Sequence, residues 1–227
     1  MSVTELSASS QNYLKVVWGL GEWSDAPVTP SLIAEKSGLK LSSVSDALRR
    51  LTAQGLLEHA PYGAVTLTEQ GRIYAVAMVR RHRLIETFLV EVLGYGWDQV
   101  HDEAEALEHA VSDFMVERID EFLRFPSRDP HGDPIPAADG SLPHVEAERL
   151  SFSHVGRAVV VERISDDDPA LLQFFVARGI VVGAHLEVGE GPPFSDSVTV
   201  RVDGASEQVT LGRVPMAALY ISDAGSR

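Results

Sequence analysis

Apolar residues recur at helical spacing through most of the chain and at alternate positions in its last third, which predicts helices followed by a β domain. Residues 9–21 place Tyr13, Leu14, Val17, Trp18 and Leu20 on one helix that ends near Gly21. Pro27 and Pro30 bracket a turn, and Thr29 is suited to cap a short helix over Ser31–Lys36 that Gly38 stops. The next helix, Ser42–Gln54, has Val44, Leu48 and Leu51 on its core face and is closed by Gly55. Two short helices around a glycine-containing turn predict a helix-turn-helix. Leu57–His59 and Ala64–Thr68 read as strands joined by a turn at Tyr62–Gly63, and a hairpin in that place makes the motif a winged helix-turn-helix. A long helix then begins at Thr68, a good N-cap, and continues to about Val92, with Gly71 unfavourable near its start. A second long helix spans about Trp97–Leu123. Its apolar residues, with Phe88, Leu89, Val92 and Leu93, exceed what two helices bury against each other, and the surplus is left either for a homodimer interface or for cover by a third domain.

Residues 126–147 are rich in Pro, Gly and Asp and read as a linker. Beyond them Ala158–Ile164, Ala184–Val188, Ser197–Val202 and Gln208–Leu211 alternate as strands, with a helix over Pro169–Arg178 capped by the Asp166–Asp168 run. The expected fold is mainly α with a β C-terminal domain. Its expected domains are a winged helix-turn-helix over 1–74, a helical dimerisation and metal-binding domain with linker over 75–147, and a small β-barrel over 148–227.

Composition narrows the function. The 227 residues, 44% hydrophobic and 23% charged, suffice for one large domain or two to three small ones. No run of 18 apolar residues and no signal-like N-terminus is present, so the expectation is a soluble, cytoplasmic protein without a membrane partner. The absence of cysteine excludes disulfides and thiolate metal sites. A net charge of −14 argues against DNA binding until its distribution is considered: −1 over residues 1–74, −9 over 75–147 and −4 over 148–227. The N-terminal region is nearly neutral, so contact with phosphates there depends on local basic clusters. Val44, Leu48 and Leu51 leave Ser42, Ser43, Ser45, Asp46, Arg49 and Arg50 for solvent or DNA. Hydroxyls at the helix start suit phosphate and base edges, and arginines suit phosphate. An ordinary amphipathic helix with capping serines has the same pattern.

The acidity coincides with candidate metal ligands. His82 and Glu86 are spaced i, i+4, and His101, Glu105, Glu108 and His109 fall on one stripe of the second helix, beside an apolar stripe of Ala104, Leu107, Val111 and Met115. Imidazole and carboxylate without thiol suit Mn²⁺ or Fe²⁺, and bind Zn²⁺ as well. The bland alternative is a solvated acidic face, against which stands the repulsion among Asp102, Glu103, Glu105 and Glu108 that a cation would relieve. Asp129, His131 and Asp133 could form another metal site, but Asp-Pro and Gly-Asp-Pro pairs chiefly encode turns, and the structural reading is preferred. The competing class is a helical di-metal carboxylate/histidine metalloenzyme; the pair of Glu-x-x-His motifs typical of those bundles is absent.

Three segments in order, HRLIETFL from His82, VHDEAEALEHAVSD from Val100 and DPHGDPIP from Asp129, resemble the metal-dependent repressors of the DtxR/MntR type, most closely a three-domain manganese-responsive member. The resemblance, weaker outside these segments, extends over nearly the whole chain. It implies a dimeric, metal-activated repressor of a palindromic double-stranded DNA operator, with an SH3-like C-terminal domain. It assigns His82, Glu86 and His101 to an ancillary metal site and Glu105, Glu108 and His109 to the primary one, with Asn12 at the position of the N-terminal ligand. Asp168 is the nearest match to the acidic residue by which the third domain can complete a site. Glu105 stands where iron-sensing members carry Cys, which implies Mn²⁺ over Fe²⁺. Asn12 replaces the usual Asp or Met, and Lys15 replaces a carboxylate of the shorter two-domain manganese sensors.

Overall fold

The computed structural model describes residues 3–59 and 63–225. They fall into two compact units, one of Met1–Ile85, Glu105–Phe125 and Pro136–Leu142, the other of Glu86–Ala104, Pro126–Ile135 and Pro143–Arg227.

In the first unit, α1 (Ala8–Glu22) starts at Ser7, whose hydroxyl accepts from Ser10 N. Helix α2 (Pro30–Ser37) is capped by Thr29, with Pro30 at its first position and Gly38 closing it at φ 66°. Helix α3 (Leu41–Ala53) follows, then β1 (Leu57–His59) paired antiparallel with β2 (Val65–Leu67). The expected hairpin turn falls partly on Tyr62, outside the described residues. Tyr13 and Leu14 of α1, Ile33 of α2, Leu48 of α3 and Leu57 of β1 share one apolar cluster with Tyr74 and Met78 of α4 (Glu69–Leu93).

Helix α4 begins where expected, Thr68 Oγ1 accepting from Gly71 N at 3.0 Å and donating to Gly55 O at 2.7 Å. Gly71, poor by helix propensity, is demanded by packing: a Cβ there would lie 1.9 Å from Leu56 O. The second long helix is not continuous. It is α5 (Val100–Leu107) and α6 (Asp113–Phe122), with Ser112 capping α6 through Met115 N. The buried Arg81 guanidinium stabilises the break, donating to Glu108 O at 3.1 Å and Val111 O at 3.2 Å and pairing with Asp113. Two carbonyls released from the helix thus gain a charged donor.

The second unit holds a six-stranded antiparallel sheet. Its strands are β3 (Glu148–Arg149), β4 (Ala158–Ile164), β5 (His185–Glu190), β6 (Ser197–Val202), β7 (Val209–Gly212) and β8 (Leu219–Asp223), ordered β3-β8-β4-β5-β6-β7. Val159, Ile164, Leu186, Val198 and Ile221 form its core with Phe175 of α7 (Pro169–Val176). Strands β3 and β8 and the short α8 (Arg213–Ala218) were not anticipated from sequence. The Asp129–Asp133 loop docks on β4 through Ile164 N to His131 O at 2.9 Å and an Arg163–Asp133 ion pair at 2.7 Å. Gly132 adopts φ 91° where a Cβ would sit 2.1 Å from Glu162 O.

Candidate metal centres

Ending α5 at Leu107 changes which way the predicted ligands face. Glu108 and His109 lie in the following turn rather than on a helical stripe, and the Glu108 side chain is fully buried. In the first unit this turn meets α1. Lys15 Nζ donates to Glu108 Oε1 at 2.7 Å and Oε2 at 2.8 Å and pairs with Glu105. Nδ1 of His82 lies 2.6 Å from Glu108 Oε2. Burial alone would raise the Glu108 pKa, but the His82 hydrogen bond and the Lys15 charge hold it below the ordinary carboxylate value. Glu108 is therefore an anion in a buried site.

His109 is oriented by Gln11. Gln11 Nε2 donates to Val3 O at 2.9 Å and Leu6 O at 3.0 Å, which turns Oε1 toward the imidazole. His109 Nδ1–H donates to that oxygen at 2.6 Å, leaving the lone pair on Nε2. His109 Nε2 and Asn12 Oδ1 are buried and have no hydrogen-bond partner. Glu105 and Glu108 lie together and His109 Nε2 is 3.5 Å from Glu108 Oε1, so one nitrogen and several carboxylate oxygens form a donor set that fits a divalent cation.

In the second unit His101 Nδ1 lies 3.3 Å from Glu86 Oε1 and 3.1 Å from Asp166 Oδ2. Desolvation would lower the His101 pKa, but the bonds to Asp166 and Glu86 prevail and push it up to about 10. Burial disfavours charge on Asp166 too, yet His101 holds that carboxyl well below its usual range. Proton competition at His101 therefore persists far above the ordinary imidazole value of about 6.5. Asp168 does not join this group; its carboxylate caps α7, accepting from Ala170 N and Leu171 N. Asp166 does join it, and sequence reasoning missed it because three consecutive aspartates compete for one capping role. Gln11 was missed as well, since a glutamine that orients a histidine carries no spacing signal. His82 Nδ1 lies 2.6 Å from Glu108 Oε2 and 3.4 Å from Lys15 Nζ.

On α3, Ser42, Ser43, Ser45, Asp46, Arg49 and Arg50 are all exposed, while Val44, Ala47, Leu48 and Leu51 are buried. Arg49 pairs with Asp46, and Ser45 Oγ donates to Leu41 O at 2.9 Å. No helix among the described residues is long and apolar enough to cross a membrane.

Three family models match successive parts of the chain. Residues 5–65 match the iron dependent repressor N-terminal DNA-binding domain, 68–137 the iron dependent repressor metal-binding and dimerisation domain, and 148–222 the FeoA domain. The iron-dependent repressor IdeR of Mycobacterium leprae (strain TN) is 32% identical over 221 residues, covering 92% of this chain and 94% of that protein. Among solved structures, a manganese-dependent transcriptional repressor in complex with manganese is 48% identical, covers 94% of this chain and 99% of its own, and superposes with a TM-score of 0.90. The manganese regulator SloR is 32% identical over 94% of this chain and 98% of its own, with a TM-score of 0.79. The metalloenzyme alternative finds no support in any of these matches. Helix-turn-helix, metal-ligand clusters and SH3-like C-terminal domain together identify the chain as a member of the iron-dependent repressor family, the metal-dependent, DNA-binding transcriptional repressors of the DtxR/MntR type.

Proposed function

We propose that the chain is a cytoplasmic, manganese-responsive repressor that binds a palindromic operator as a homodimer and controls metal-ion homeostasis. The observation that carries this reading is the buried His109 Nε2, without a hydrogen-bond partner and 3.5 Å from Glu108 Oε1, with Glu105 grouped beside Glu108 and Asn12 Oδ1 likewise buried and without a hydrogen-bond partner. Oxygen-rich sets with a single imidazole favour harder divalent ions than thiolate sets do. Glu86, His101 and Asp166 would hold a second ion. Bound metal supplies positive charge to carboxylates that are otherwise held by Lys15 and the histidines. The coupling to DNA is carried by the protein. Asn12 lies on α1, and α1 shares its apolar cluster with α3, so tying Asn12 to the turn after α5 constrains the helix that bears Ser42, Ser43, Ser45, Asp46, Arg49 and Arg50. In a dimer, that constraint sets the separation of two reading helices, which must match successive turns of the duplex. The exposed face of α6, Phe114, Met115 and Phe122, with Phe125 beyond it, suits the dimer contact. The proposed domains are 1–74 for DNA, 75–147 for metal and dimerisation, and 148–227 for the SH3-like domain.

The test is the mobility of a palindromic duplex with the full chain in Mn²⁺, Fe²⁺ under anaerobic conditions, or chelator. Retardation that Mn²⁺ induces and chelator reverses is expected. Equal retardation in chelator would overturn the reading.

A further inference from the structure

The Asp129–Asp133 loop is the ligand-bearing stretch that neither cluster absorbs. Most of it has a structural role: Asp129 Oδ1 accepts from His131 N and Asp133 N, each at 2.9 Å, and Asp133 pairs with Arg163. The His131 side chain is left over, and it is 0% exposed. Its Nε2–H donates to Trp97 O at 2.7 Å, and its ring stacks on Trp97 with centroids 5.6 Å apart and planes 17° apart. Nδ1 is buried without a hydrogen-bond partner and lies 4.0 Å from Glu86 Oε2. Asp129 completes the group: Glu86, Asp129 and His131 each offer a ligand atom within 4.8 Å of the others, and all three are buried.

We infer that Glu86, Asp129 and His131 bind a divalent cation of the Mn²⁺, Fe²⁺ or Zn²⁺ class, at a site separate from the two above. Three features support this. First, the hydrogen bond to Trp97 O commits the Nε2 proton and holds the ring, which is how a ligating imidazole is ordinarily oriented by its far nitrogen. Second, Nδ1 is buried, has no hydrogen-bond partner and lies 4.0 Å from Glu86 Oε2. Nδ1 and the two carboxylates bring three ligand atoms into one buried space, and a cation is what all three can share. Third, the Glu86 carboxylate faces two ways, Oε1 toward His101 at 3.3 Å and Oε2 toward His131. It can therefore bridge this ion to the one beside His101 without either giving up its oxygen. One imidazole nitrogen with carboxylate oxygens suits a borderline or moderately hard ion.

The experiment uses the full chain and Mn²⁺ alone. Crystals grown in Mn²⁺ are measured on both sides of the manganese absorption edge, and bound Mn²⁺ per chain is counted by equilibrium dialysis with paramagnetic resonance of the free ion. An anomalous peak bonded to His131 Nδ1 is expected in the wild type. His131→Gln keeps a donor for Trp97 O and should bind one fewer Mn²⁺, as should Asp129→Asn. Mn²⁺ beside Glu105 and Glu108 with only water density at His131 overturns this inference and leaves the proposed function standing. An unchanged Mn²⁺ count in a folded His131→Gln chain does the same. No Mn²⁺ at any position overturns both. The wild-type map and count decide even if both variants fail to fold.

Discussion

Lys15 occupies the space that a cation between Glu105 and Glu108 would need, and removing it should make metal bind more tightly. Its ammonium lies 2.7 and 2.8 Å from the two Glu108 oxygens and also pairs with Glu105. At an effective dielectric near 20, unit charges that close attract by about 6 kcal/mol. Desolvation of both ions offsets much of this, and an expelled ammonium regains hydration, itself worth several kcal/mol. The net cost that metal must overcome is then about 1.4 to 2.7 kcal/mol, which is a 10- to 100-fold change in Kd. Lys15→Met should tighten Mn²⁺ binding by that factor at pH 7.5, measured by titration calorimetry. It should also lower the melting temperature of the metal-free protein, because Glu108 loses a partner while remaining buried. Lys15→Arg should act oppositely on affinity, since a planar fork pairs with carboxylates more persistently. An unchanged or weaker Mn²⁺ Kd in a folded Lys15→Met protein would refute the reasoning. Lys15 would then leave the carboxylates at no cost.

Asn12→Leu should leave much of the Mn²⁺ affinity, because Glu105, Glu108 and His109 remain, yet raise the Mn²⁺ needed for operator binding at least tenfold; a normal Mn²⁺ requirement in mobility shifts would clear Asn12 of coupling. His101, with its pKa about 10, is protonated at pH 7.5 in the metal-free protein, so metal binding beside Glu86 and Asp166 should release about one proton more than it does in His101→Gln. Calorimetry in buffers of different ionisation enthalpy reads that difference. Because the folded pKa lies above the unfolded value, the stabilisation from this ion group is complete below about pH 6.5 and is lost as pH rises through about 10, which melting of metal-free protein across that range checks. Arg50→Ala should weaken binding to operator and random duplex alike and reduce the slope of log Kd against log salt by about one, whereas an unaltered slope removes it from the phosphate contacts. Gly71→Ala should destabilise the first unit by about 1–3 kcal/mol in urea melts despite alanine's better helix propensity, since its Cβ would collide with Leu56 O; a more stable variant would contradict the packing.

Local chemistry was legible wherever it acts within one turn of chain. Thr29 with Pro30, Thr68, Gly38 and the Val44–Leu48–Leu51 stripe encode their own helix ends and faces, and α1 to α4 stand within two residues of where those signals put them. The break between α5 and α6 was not legible in the same way. Ser112 is a capping residue, but an unbroken apolar stripe through Val111 and Met115 outweighed it, and the deciding donor is Arg81, some 30 positions away. The same holds at the sites. Residue types and spacing bring Glu105, Glu108 and His109 forward as ligands, while Lys15 and Gln11 enter only because α1 packs beside them. In the Asp166–Asp168 run the sequence is uniform, and only the fold separates a cap from a partner of His101. Strand β8 and helix α8 pass unnoticed because a mostly apolar stretch, Val214–Ile221, has no clear period to read.

The choice of cation at each buried carboxylate divides structural pairs from exchangeable ones. Arginine holds the carboxylates that fix the fold: Arg80 pairs with Asp120, Arg83 with Glu22 and Arg163 with Asp133. A guanidinium stays charged at any physiological pH and presents a rigid fork, so such pairs persist whatever the metal concentration. The Arg83–Glu22 pair in particular fixes the end of α1 to α4 through two hydrogen bonds, at 2.9 and 2.6 Å, independently of metal. The carboxylates of the proposed sites are held differently. Lys15 and His82 hold Glu108, and His101 holds Glu86 and Asp166. An ammonium on a flexible stem can withdraw, and an imidazole can give up its proton and remain as a ligand. The anions that should respond to metal are thus stabilised without it by groups that can leave or change role, and those that should not respond are held by groups that cannot. Such a division lets the metal-free chain keep its fold while its buried charge remains available to an incoming cation.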